Sequence, residues 1–472
     1  MTAAKSLTRR QFIAGAAGAS AAGAAAVGIA HSPAERALGL GRRAQRTPAA
    51  PSAGGPAHRA PGHGTLVLVT LYGGNDGENT VVPYHDPAYL AGRPTLGHQA
   101  NDVIPLDSDL ALHPNLHGLK TLWDRKQLAI VRGVGYPEPS HSHFRSMDIW
   151  QSGVPETDEA TGWLGRWLDA MGGRDPLAAM TLGPTLPKVL AGNTTAGSSV
   201  PSGTLTLPRG GRIEAPFAAV EARAPGASEL SARIGQSGTD LLRVLHSVAD
   251  VLATEPPVVF GNNLEGPPAG GATSVSSSTS VPMTSGPTGG IKAGGGTTGG
   301  NAGKGGAGRA GVRANPLVSQ LDLVARLIKG GLPTRVYVVS MGGFDNHYAE
   351  KPIHDGLMSY LDEGITGFVD AMAADPKGSD VVVMTFSEFG RRVAQNASGG
   401  TDHGTAAPLF VAGPGVKGGY YGDQPSLVDL DNGDYRFTTD FRSVYATVAD
   451  RVLGVDPKAV LAGKTFPTLD FV

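Results

Sequence analysis

The sequence contains no cysteine, which excludes thiolate metal ligands, a thiol nucleophile and disulfides. It also lacks a surplus of positive charge, since 39 lysines and arginines face 41 aspartates and glutamates and the formal net charge is −2. Binding to nucleic acid needs a clear basic surplus, so we predict no nucleic-acid partner. Glycine and proline are abundant instead, with 69 and 35 residues, which indicates many turns and loops.

The first 30 residues carry the pattern of an export signal. Residues 6–13 read SLTRRQFI, a twin arginine followed by a polar residue and an apolar pair, and a mild Ala/Gly-rich run continues to Ala30. This pattern predicts a Tat signal peptide over residues 1–30, with the Tat translocase as the partner during export. The alternative is a transmembrane anchor, which the glycines in the run disfavour. We therefore expect a periplasmic, cell-envelope or extracellular protein, attached to a membrane only where the signal stays uncleaved.

Two further segments have compositions that do not support a packed core. Residues 31–63 are rich in Ala, Pro, Gly and Arg and are predicted to form a disordered spacer. Residues 264–313, approximately, are rich in Gly, Ser and Thr and are predicted to be a flexible insertion. The remaining chain, 64–472, is predicted to be a single α/β domain that this insertion interrupts.

Short apolar runs alternate with amphipathic stretches along residues 64–472. The runs are continuous and β-rich, as expected for strands buried on both faces of a sheet. This alternation predicts an α/β fold with a mostly parallel, doubly wound sheet and helices on both faces. The predicted strands include 66–71, 128–131, 335–340, 380–385 and 409–412.

Acidic and histidine side chains lie in Gly-rich turns close to several of these strands. Open α/β sheets bind ligands at the carboxyl ends of their strands, and carboxylates with imidazoles are suitable metal ligands. We therefore predict a site for a divalent metal, with zinc favoured and manganese or calcium as alternatives. For an individual acid the alternative is a turn-capping role or an ion pair with an arginine. The predicted metal ligands are Asp76, Asp345, His347, Glu388, Asp402 and His403.

The segment 140–143, with the sequence SHSH, precedes a predicted helix. Ser142 or Ser140 is the candidate nucleophile and His143 a candidate catalytic residue or ligand, because a bound metal and a helix N-terminus both lower the pKa of a hydroxyl. The alternative is that a serine here only caps the helix.

Arg391 and Arg392 are candidates to hold a small anionic ester substrate, because a guanidinium matches the geometry of phosphate and sulfate. The alternative is an ion pair between Glu388 and an arginine. Asn79, one short loop after the first strand, is a third candidate substrate contact.

Taken together, these motifs resemble a family of Tat-exported bacterial proteins, domain of unknown function 1501. The resemblance extends over most of the chain after Thr65. The blocks that carry it are LYGGNDGENTVVP at 71–83, SHF at 142–144, TGWLGR at 161–166, GGFDNH at 342–347, SEFGRR at 387–392 and GTDHG at 400–404.

The order of these motifs is also similar to that in the alkaline phosphatase and sulfatase superfamily. The resemblance implies a metal-binding Asp76, a nucleophilic serine at a helix start, and an exported hydrolase of phosphate or sulfate esters. Phe389 departs from the superfamily pattern, because a ligand histidine is expected at that turn. Asp402 and His403 could supply the missing ligand. The alternative function is a noncatalytic metal-binding or envelope-binding protein on the same fold.

Overall fold

The computed structural model describes residues 62–201, 229–258, 260 and 315–472. The predicted signal peptide, nearly all of the predicted spacer and the Gly-rich insertion lie outside the described residues. In the described parts of the chain, no helix is long and apolar enough to cross a membrane.

Sixteen strands are present among the described residues. They are β1 (Thr65–Tyr72), β2 (Val81–Val82), β3 (Ile104–Pro105), β4 (Ala111–Leu112), β5 (Leu128–Gly135), β6 (Ala179–Leu182), β7 (Ser198–Val200), β8 (Val336–Gly342), β9 (Val381–Ser387), β10 (Arg391–Gln395), β11 (Thr401–His403), β12 (Ala407–Ala412), β13 (Gly419–Tyr421), β14 (Leu430–Asp431), β15 (Asp434–Tyr435) and β16 (Thr439–Asp440).

The same parts of the chain contain ten α-helices. They are α1 (Gly77–Thr80), α2 (Pro87–Gly92), α3 (His117–Asp124), α4 (His143–Ser152), α5 (Trp163–Ala170), α6 (Glu229–Thr254), α7 (Pro316–Lys329), α8 (Glu350–Ala373), α9 (Phe441–Thr447) and α10 (Pro457–Val460). Short 3₁₀ turns at Lys188–Leu190 and Pro376–Gly378 and a π-helical turn at Val448–Leu453 complete the set.

A nine-stranded sheet forms the centre of the fold, in the order β13-β5-β12-β9-β1-β8-β6-β7, with β16 beside β5. Strand β1 is parallel to both of its neighbours, β8 and β9. Strand β12 is antiparallel to β5 and β9, and among the described strands of this sheet it alone is reversed. The predicted α/β class with a mostly parallel sheet is therefore confirmed.

Both faces of the sheet are covered by helices, as β1 illustrates. Leu66 and Leu68 belong to one apolar cluster, with side chains of α4, α5 and α9, whereas Val67 and Val69 belong to a second, with side chains of α3, α7 and α8. All four side chains are fully buried. Removing an apolar side chain of this size from water contributes roughly 1.5–3 kcal/mol. The unbroken apolar sequence of β1 is therefore explained by burial on both sides.

The topology brings chain segments from distant parts of the sequence to one edge of the sheet. Because β1, β5, β8 and β9 run in the same direction, the segments after them all emerge at their carboxyl edge. Strand β12 runs the other way, so the segment before it, including β11, reaches that same edge. The edge therefore combines residues that follow four strands with residues that precede a fifth.

The burial of β1 predicts a large stability loss for Leu68→Ala. Leu68 is paired with Val338 on one side and Met384 on the other. Emptying such a position should lower the free energy of unfolding by about 2–5 kcal/mol, measured by denaturant titration. The control is Met171→Ala, because this side chain is 49% exposed. A loss below about 1 kcal/mol in Leu68→Ala would show that the site repacks.

Candidate metal centre

Four side chains converge at the carboxyl edge of the sheet. The Asp345 carboxylate is the common neighbour: its Oδ1 lies 3.0 Å from His347 Nε2 and 3.1 Å from His403 Nε2. Its Oδ2 lies 3.3 Å from His143 Nε2. The two nitrogens His347 Nε2 and His403 Nε2 are 2.9 Å apart. One carboxylate thus meets the same ring nitrogen of three histidines.

These residues reach one point from three separate segments. Asp345 and His347 lie in the loop between β8 and α8, His403 ends β11, and His143 is the first residue of α4. The loop after β8 passes very close to the loop after β1. A Cβ at Gly73, where φ is +121°, would lie 2.4 Å from the backbone nitrogen of Asp345. Only glycine permits this approach, which explains the Gly-Gly step before Asp76 in the sequence.

The second nitrogen of each imidazole, Nδ1, faces an oxygen acceptor. A carbonyl or a carboxylate can accept a hydrogen bond from Nδ1, and in that tautomer of the neutral ring Nε2 presents a lone pair to Asp345. The three contacts are His143 Nδ1 to Glu388 Oε1 at 2.8 Å, His403 Nδ1 to the His141 carbonyl at 2.8 Å, and His347 Nδ1 to Asp402 Oδ1 at 3.4 Å.

In this tautomer three lone pairs face one carboxylate, and a positive charge between them would remove their mutual repulsion. His143 Nε2 illustrates this, because it is buried and has no hydrogen-bond partner, although Asp345 Oδ2 is only 3.3 Å away. Ligands of a tetrahedral zinc ion lie about 3.3 Å from one another. The four separations given above, 2.9–3.3 Å, are close to that spacing, and the ligand atoms of His143, Asp345 and His403 all lie within 4.8 Å of one another. The donor atoms and their orientation therefore fit a divalent metal ion.

The guanidinium of Arg391 holds the Asp345 carboxylate in place. It is almost fully buried, and its Nη2 donates to Asp345 Oδ1 at 2.8 Å. Burial raises the pKa of Asp345, but the hydrogen bond and the charge of Arg391 outweigh it and hold the value at about 2. The remaining donors of Arg391 bind main-chain carbonyls of Gly73, Gly74, Phe344 and Thr401. Its contacts are thus internal, which corrects the expectation that Arg391 contacts a substrate.

Two predicted ligands, Glu388 and Asp402, contact the Nδ1 atoms of the histidines and not the Nε2 atoms that face Asp345. Glu388 is buried, and its Oε1 accepts hydrogen bonds from His143 Nδ1 and from the Gly73 amide at 2.9 Å. Asp402 Oδ1 accepts from Asn396 Nδ2 at 3.2 Å and from His347. Hydrogen bonds from Asn396 and then His347 lower the pKa of Asp402. Such carboxylates orient metal-binding imidazoles and increase their basicity.

Asp76 has its contacts elsewhere. It is buried, and its Oδ2 accepts from Arg93 Nη1 at 2.5 Å, while Glu78 lies 3.4 Å from Arg93 Nε. Burial raises the pKa of Asp76, but the charges of Arg93 and His354 outweigh it and hold the value at about 2. The structure therefore gives Asp76 an ion pair, the alternative considered for single acids, and no contact with the four converging side chains.

The other predicted site residues differ in burial and in their hydrogen bonds. Asn79 is buried and internally bonded, since its Nδ2 donates to the Leu96 carbonyl at 3.2 Å and its Oδ1 accepts from Tyr89 at 2.7 Å. Ser142 is exposed at the N-cap of α4 and makes no capping hydrogen bond. Ser140 Oγ accepts from the Ser142 amide at 3.2 Å, so it is engaged.

Arg392 is the predicted substrate contact that remains accessible. Its side chain is 42% exposed, and its Nε lies 3.5 Å from Asp434 Oδ1. Asp434 also binds His141 and is not among the residues predicted from the sequence. No local signal marks it, because it lies in a two-residue strand remote from the other motifs.

A second histidine group shows why orientation matters. His98, His113 and Asp355 also lie close enough to hold an ion. However, His113 Nδ1 accepts from the Asn115 amide at 3.0 Å, so Nε2 carries the proton and donates to Asp355 Oδ1 at 2.8 Å. This imidazole has no lone pair left for a metal. Proximity is similar in both groups, but in this one the orientation of His113 removes a ligand.

Phe389 provides the apolar wall of the site. Its buried ring lies 4.5 Å from the ring of His403 and 4.9 Å from that of His143, centroid to centroid. It packs against Gly74, where a Cβ would lie 2.4 Å from the phenyl ring. The residue that departs from the superfamily pattern thus packs beside two histidines and offers no ligand atom itself.

The fold and the site define an α/β protein with a histidine–carboxylate centre, and comparison with known proteins agrees with the predicted family. Residues 306–465 match the model of a family described as a protein of unknown function, DUF1501. The predicted resemblance to this family is confirmed by that match. It covers the residues of the centre except His143. No curated protein matches the sequence.

Several solved structures are similar at low identity. Ps i-CgsB has 11% identity and a TM-score of 0.35, over 85% of this chain and 75% of that chain. The zinc complex of the C-terminal periplasmic domain of EcEptC from Escherichia coli has 9% identity and a TM-score of 0.33, over 75% and 74%. A putative sulfatase from Bacteroides thetaiotaomicron has 10% identity and a TM-score of 0.28, over 87% and 77%.

The buried acids next to the centre predict a pH dependence of stability. Glu350 lies at the start of α8 and accepts from Thr401 Oγ1 at 2.7 Å. Burial, and then the charge of Asp76, raise its pKa from 4.5 to about 8. The folded state therefore holds a proton that the unfolded state releases, so this contribution to stability falls as pH rises from about 4.5 to 8.

Glu350→Gln should reduce that fall, because an amide oxygen still accepts from Thr401 and the side chain does not ionise. The measurement is the melting temperature across the same pH range, with Glu138→Gln, an exposed position, as control. Equal slopes in the wild type and Glu350→Gln would show that Glu350 is ionised in the folded protein throughout.

Proposed function

We propose that this protein binds one divalent metal ion through His143, Asp345, His347 and His403 and hydrolyses phosphate or sulfate esters there. The observation that carries the proposal is the shared orientation of the three imidazoles, each with Nδ1 bound to an acceptor and Nε2 directed at Asp345. Metal sites in proteins regularly use this arrangement of ligand and supporting acceptor. A purely structural cluster has no need of it.

Zinc is the favoured ion. Three imidazoles and one carboxylate form a borderline donor set that suits zinc, whereas calcium prefers six to eight oxygens. Manganese remains an alternative, because it accepts mixed nitrogen and oxygen ligands. When bound, the ion would polarise an ester oxygen and lower the pKa of a nearby hydroxyl.

Ser142 is the proposed nucleophile. It directly precedes the ligand His143, its side chain is exposed, and no capping hydrogen bond engages it. It also lies at the N-terminus of the ten-residue helix α4, where backbone N–H groups favour developing negative charge. Arg392, which is part-exposed, would hold the anionic group of a small ester substrate.

A second candidate function is noncatalytic metal binding on the same fold. Two observations favour it. Phe389 fills the position where a further ligand is expected, and Arg391 is buried by internal contacts. Under this alternative the protein holds metal and turns over no ester.

We also propose that the protein is exported through the Tat translocase to the periplasm, the cell envelope or the exterior. The support is the twin-arginine segment at residues 6–13.

The first test is the metal content of the purified full chain, measured by elemental mass spectrometry after isolation without chelators or a histidine tag. We expect about one equivalent of metal per chain in the wild type. His403→Ala and Asp345→Ala should lose it, because each removes a donor atom. The control His85→Ala removes an exposed histidine whose hydrogen bond is to the Ser108 carbonyl, and it should retain the metal. Metal retained in both site variants would refute the assignment.

Turnover of aryl phosphates and aryl sulfates separates the two candidate functions. Ser142→Ala should keep its metal and lose turnover by at least about 1,000-fold, since the nucleophile is removed. Ser140→Ala should keep both. A metal-loaded wild type that hydrolyses none of these esters would instead support the noncatalytic alternative.

A further inference from the structure

Exposed aromatic side chains lie around the proposed metal centre. Eight large apolar side chains are exposed in the described parts of the chain, and the three aromatic ones are Tyr72, Phe144 and Tyr348. Phe144 and Tyr348 directly follow the proposed ligands His143 and His347. A single exposed apolar residue is ordinary, whereas several at one place indicate a contact surface. We call these three side chains the aromatic rim.

The rim and the ligands are accessible together. Phe144 is 91% exposed and Tyr348 is 74% exposed, while His143 and His347 are themselves 34% and 44% exposed. The α-carbons of consecutive residues are only about 3.8 Å apart. Side chains on a helix also lean toward its N-terminus, which in α4 is the end where His143 meets Asp345. A molecule bound at the centre would therefore meet the ring of Phe144.

Tyr72 is the rim residue on the loop after β1. It ends that strand, its carbonyl accepts from the Phe344 amide at 3.2 Å, and its side chain is 38% exposed. Burial, and then the charge of Glu388, raise the pKa of the Tyr72 hydroxyl, so this group stays neutral. Glu388 also binds His143 Nδ1, which connects Tyr72 to the same centre.

The chemistry of the rim favours an apolar group. Phe144, the most exposed member, has no hydrogen-bonding atom at all. A polar group placed against its ring loses water without gaining a hydrogen bond, whereas an apolar group gains by leaving water. The nearby polar groups of Glu388 and Arg391 are already engaged inside the protein.

We propose that the aromatic rim selects the alcohol part of the substrate and that this part is apolar, an aryl ring or a hydrocarbon chain. This inference rests on the proposed ester hydrolysis. The anionic group lies at the metal, and the apolar group on the ester oxygen lies against Phe144 and Tyr348. Both are specificity-determining residues and take no part in the making or breaking of bonds.

The alternative is that the rim contacts a membrane surface, where aromatic side chains are also favoured. The position of the rim favours the substrate. Phe144 and Tyr348 each adjoin a proposed ligand, and a surface that only holds the protein on a membrane has no need of that adjacency.

The first measurement is the affinity of the metal-loaded full chain for phosphonates and sulfonates, whose anionic group is attached to carbon and is not hydrolysed. The probes carry a benzyl, a hexyl or a methyl group. Calorimetry should show the benzyl or the hexyl probe binding at least about 10-fold tighter than the methyl probe. The tighter of the two shows whether the apolar group is a ring or a chain.

Phe144→Ser and Tyr348→Ser should each weaken binding of the favoured apolar probe at least about 5-fold and leave the methyl probe unchanged. Both side chains are exposed, so the variants should fold and keep their metal. With phenyl esters, KM should rise about 5-fold while kcat is retained, because the contact is the same in the ground state and the transition state. The control Met171→Ser removes an exposed apolar side chain outside the rim and should change neither quantity.

The outcomes separate this inference from the proposed function. Equal affinity for all three probes in a wild type that hydrolyses esters would overturn the role of the rim and leave the hydrolase proposal standing. Equal affinities together with binding to phosphatidylcholine vesicles that Phe144→Ser abolishes would assign the rim to a membrane instead. A metal-loaded wild type that binds no probe and hydrolyses no ester would remove the hydrolase proposal, and this inference with it.

Discussion

The site depends on the guanidinium of Arg391. This group binds the carbonyls of Gly73 and Gly74 after β1, of Phe344 after β8 and of Thr401 in β11, and it also binds Asp345. Three segments that are distant in the sequence are thereby fixed relative to one another. A buried guanidinium is costly unless its donors are satisfied, so its contacts determine one loop arrangement. The imidazoles of His347 and His403 can meet at 2.9 Å because the loops that carry them are held by the same group.

The acids on this edge of the sheet fall into two groups by their pKa values. Asp345 and Asp76 each lie beside an arginine and have a pKa of about 2, so both are ionised. Glu350 and Glu78 have pKa values raised by burial to about 8 and about 7, with Glu350 further raised by Asp76. Asp345 is also half-exposed and faces three lone pairs, whereas Asp76 is enclosed. An aspartate therefore has a structural role at Asp76 and a proposed metal-binding role at Asp345, on the same edge of the sheet.

The comparison of the two histidine groups shows how the backbone decides chemistry. At His113, an amide donates to Nδ1 and uses up its lone pair; at His403, a carbonyl accepts from Nδ1 and leaves the lone pair on Nε2. The two histidines therefore differ in the backbone group that faces Nδ1, which is an N–H at His113 and a C=O at His403. Neither spacing nor residue type reveals it, since both groups contain histidines and an aspartate within reach of one another.

The sequence by itself determined the strands and the turns that follow them, because these features depend on short stretches of residues. The apolar runs of β1, β8 and β9 and the glycines after β1 and β8 suffice to predict a mostly parallel sheet with polar residues at its carboxyl edge, because burial on both faces and tight turning are properties of short segments. The choice of partners was decided by the tertiary structure. Glu388 accepts from an amide 315 residues away and lies behind His143, Asp76 turns to Arg93, and Asp434 reaches His141 across 293 residues. Such pairings follow from strand order and loop packing, which no short stretch of sequence contains.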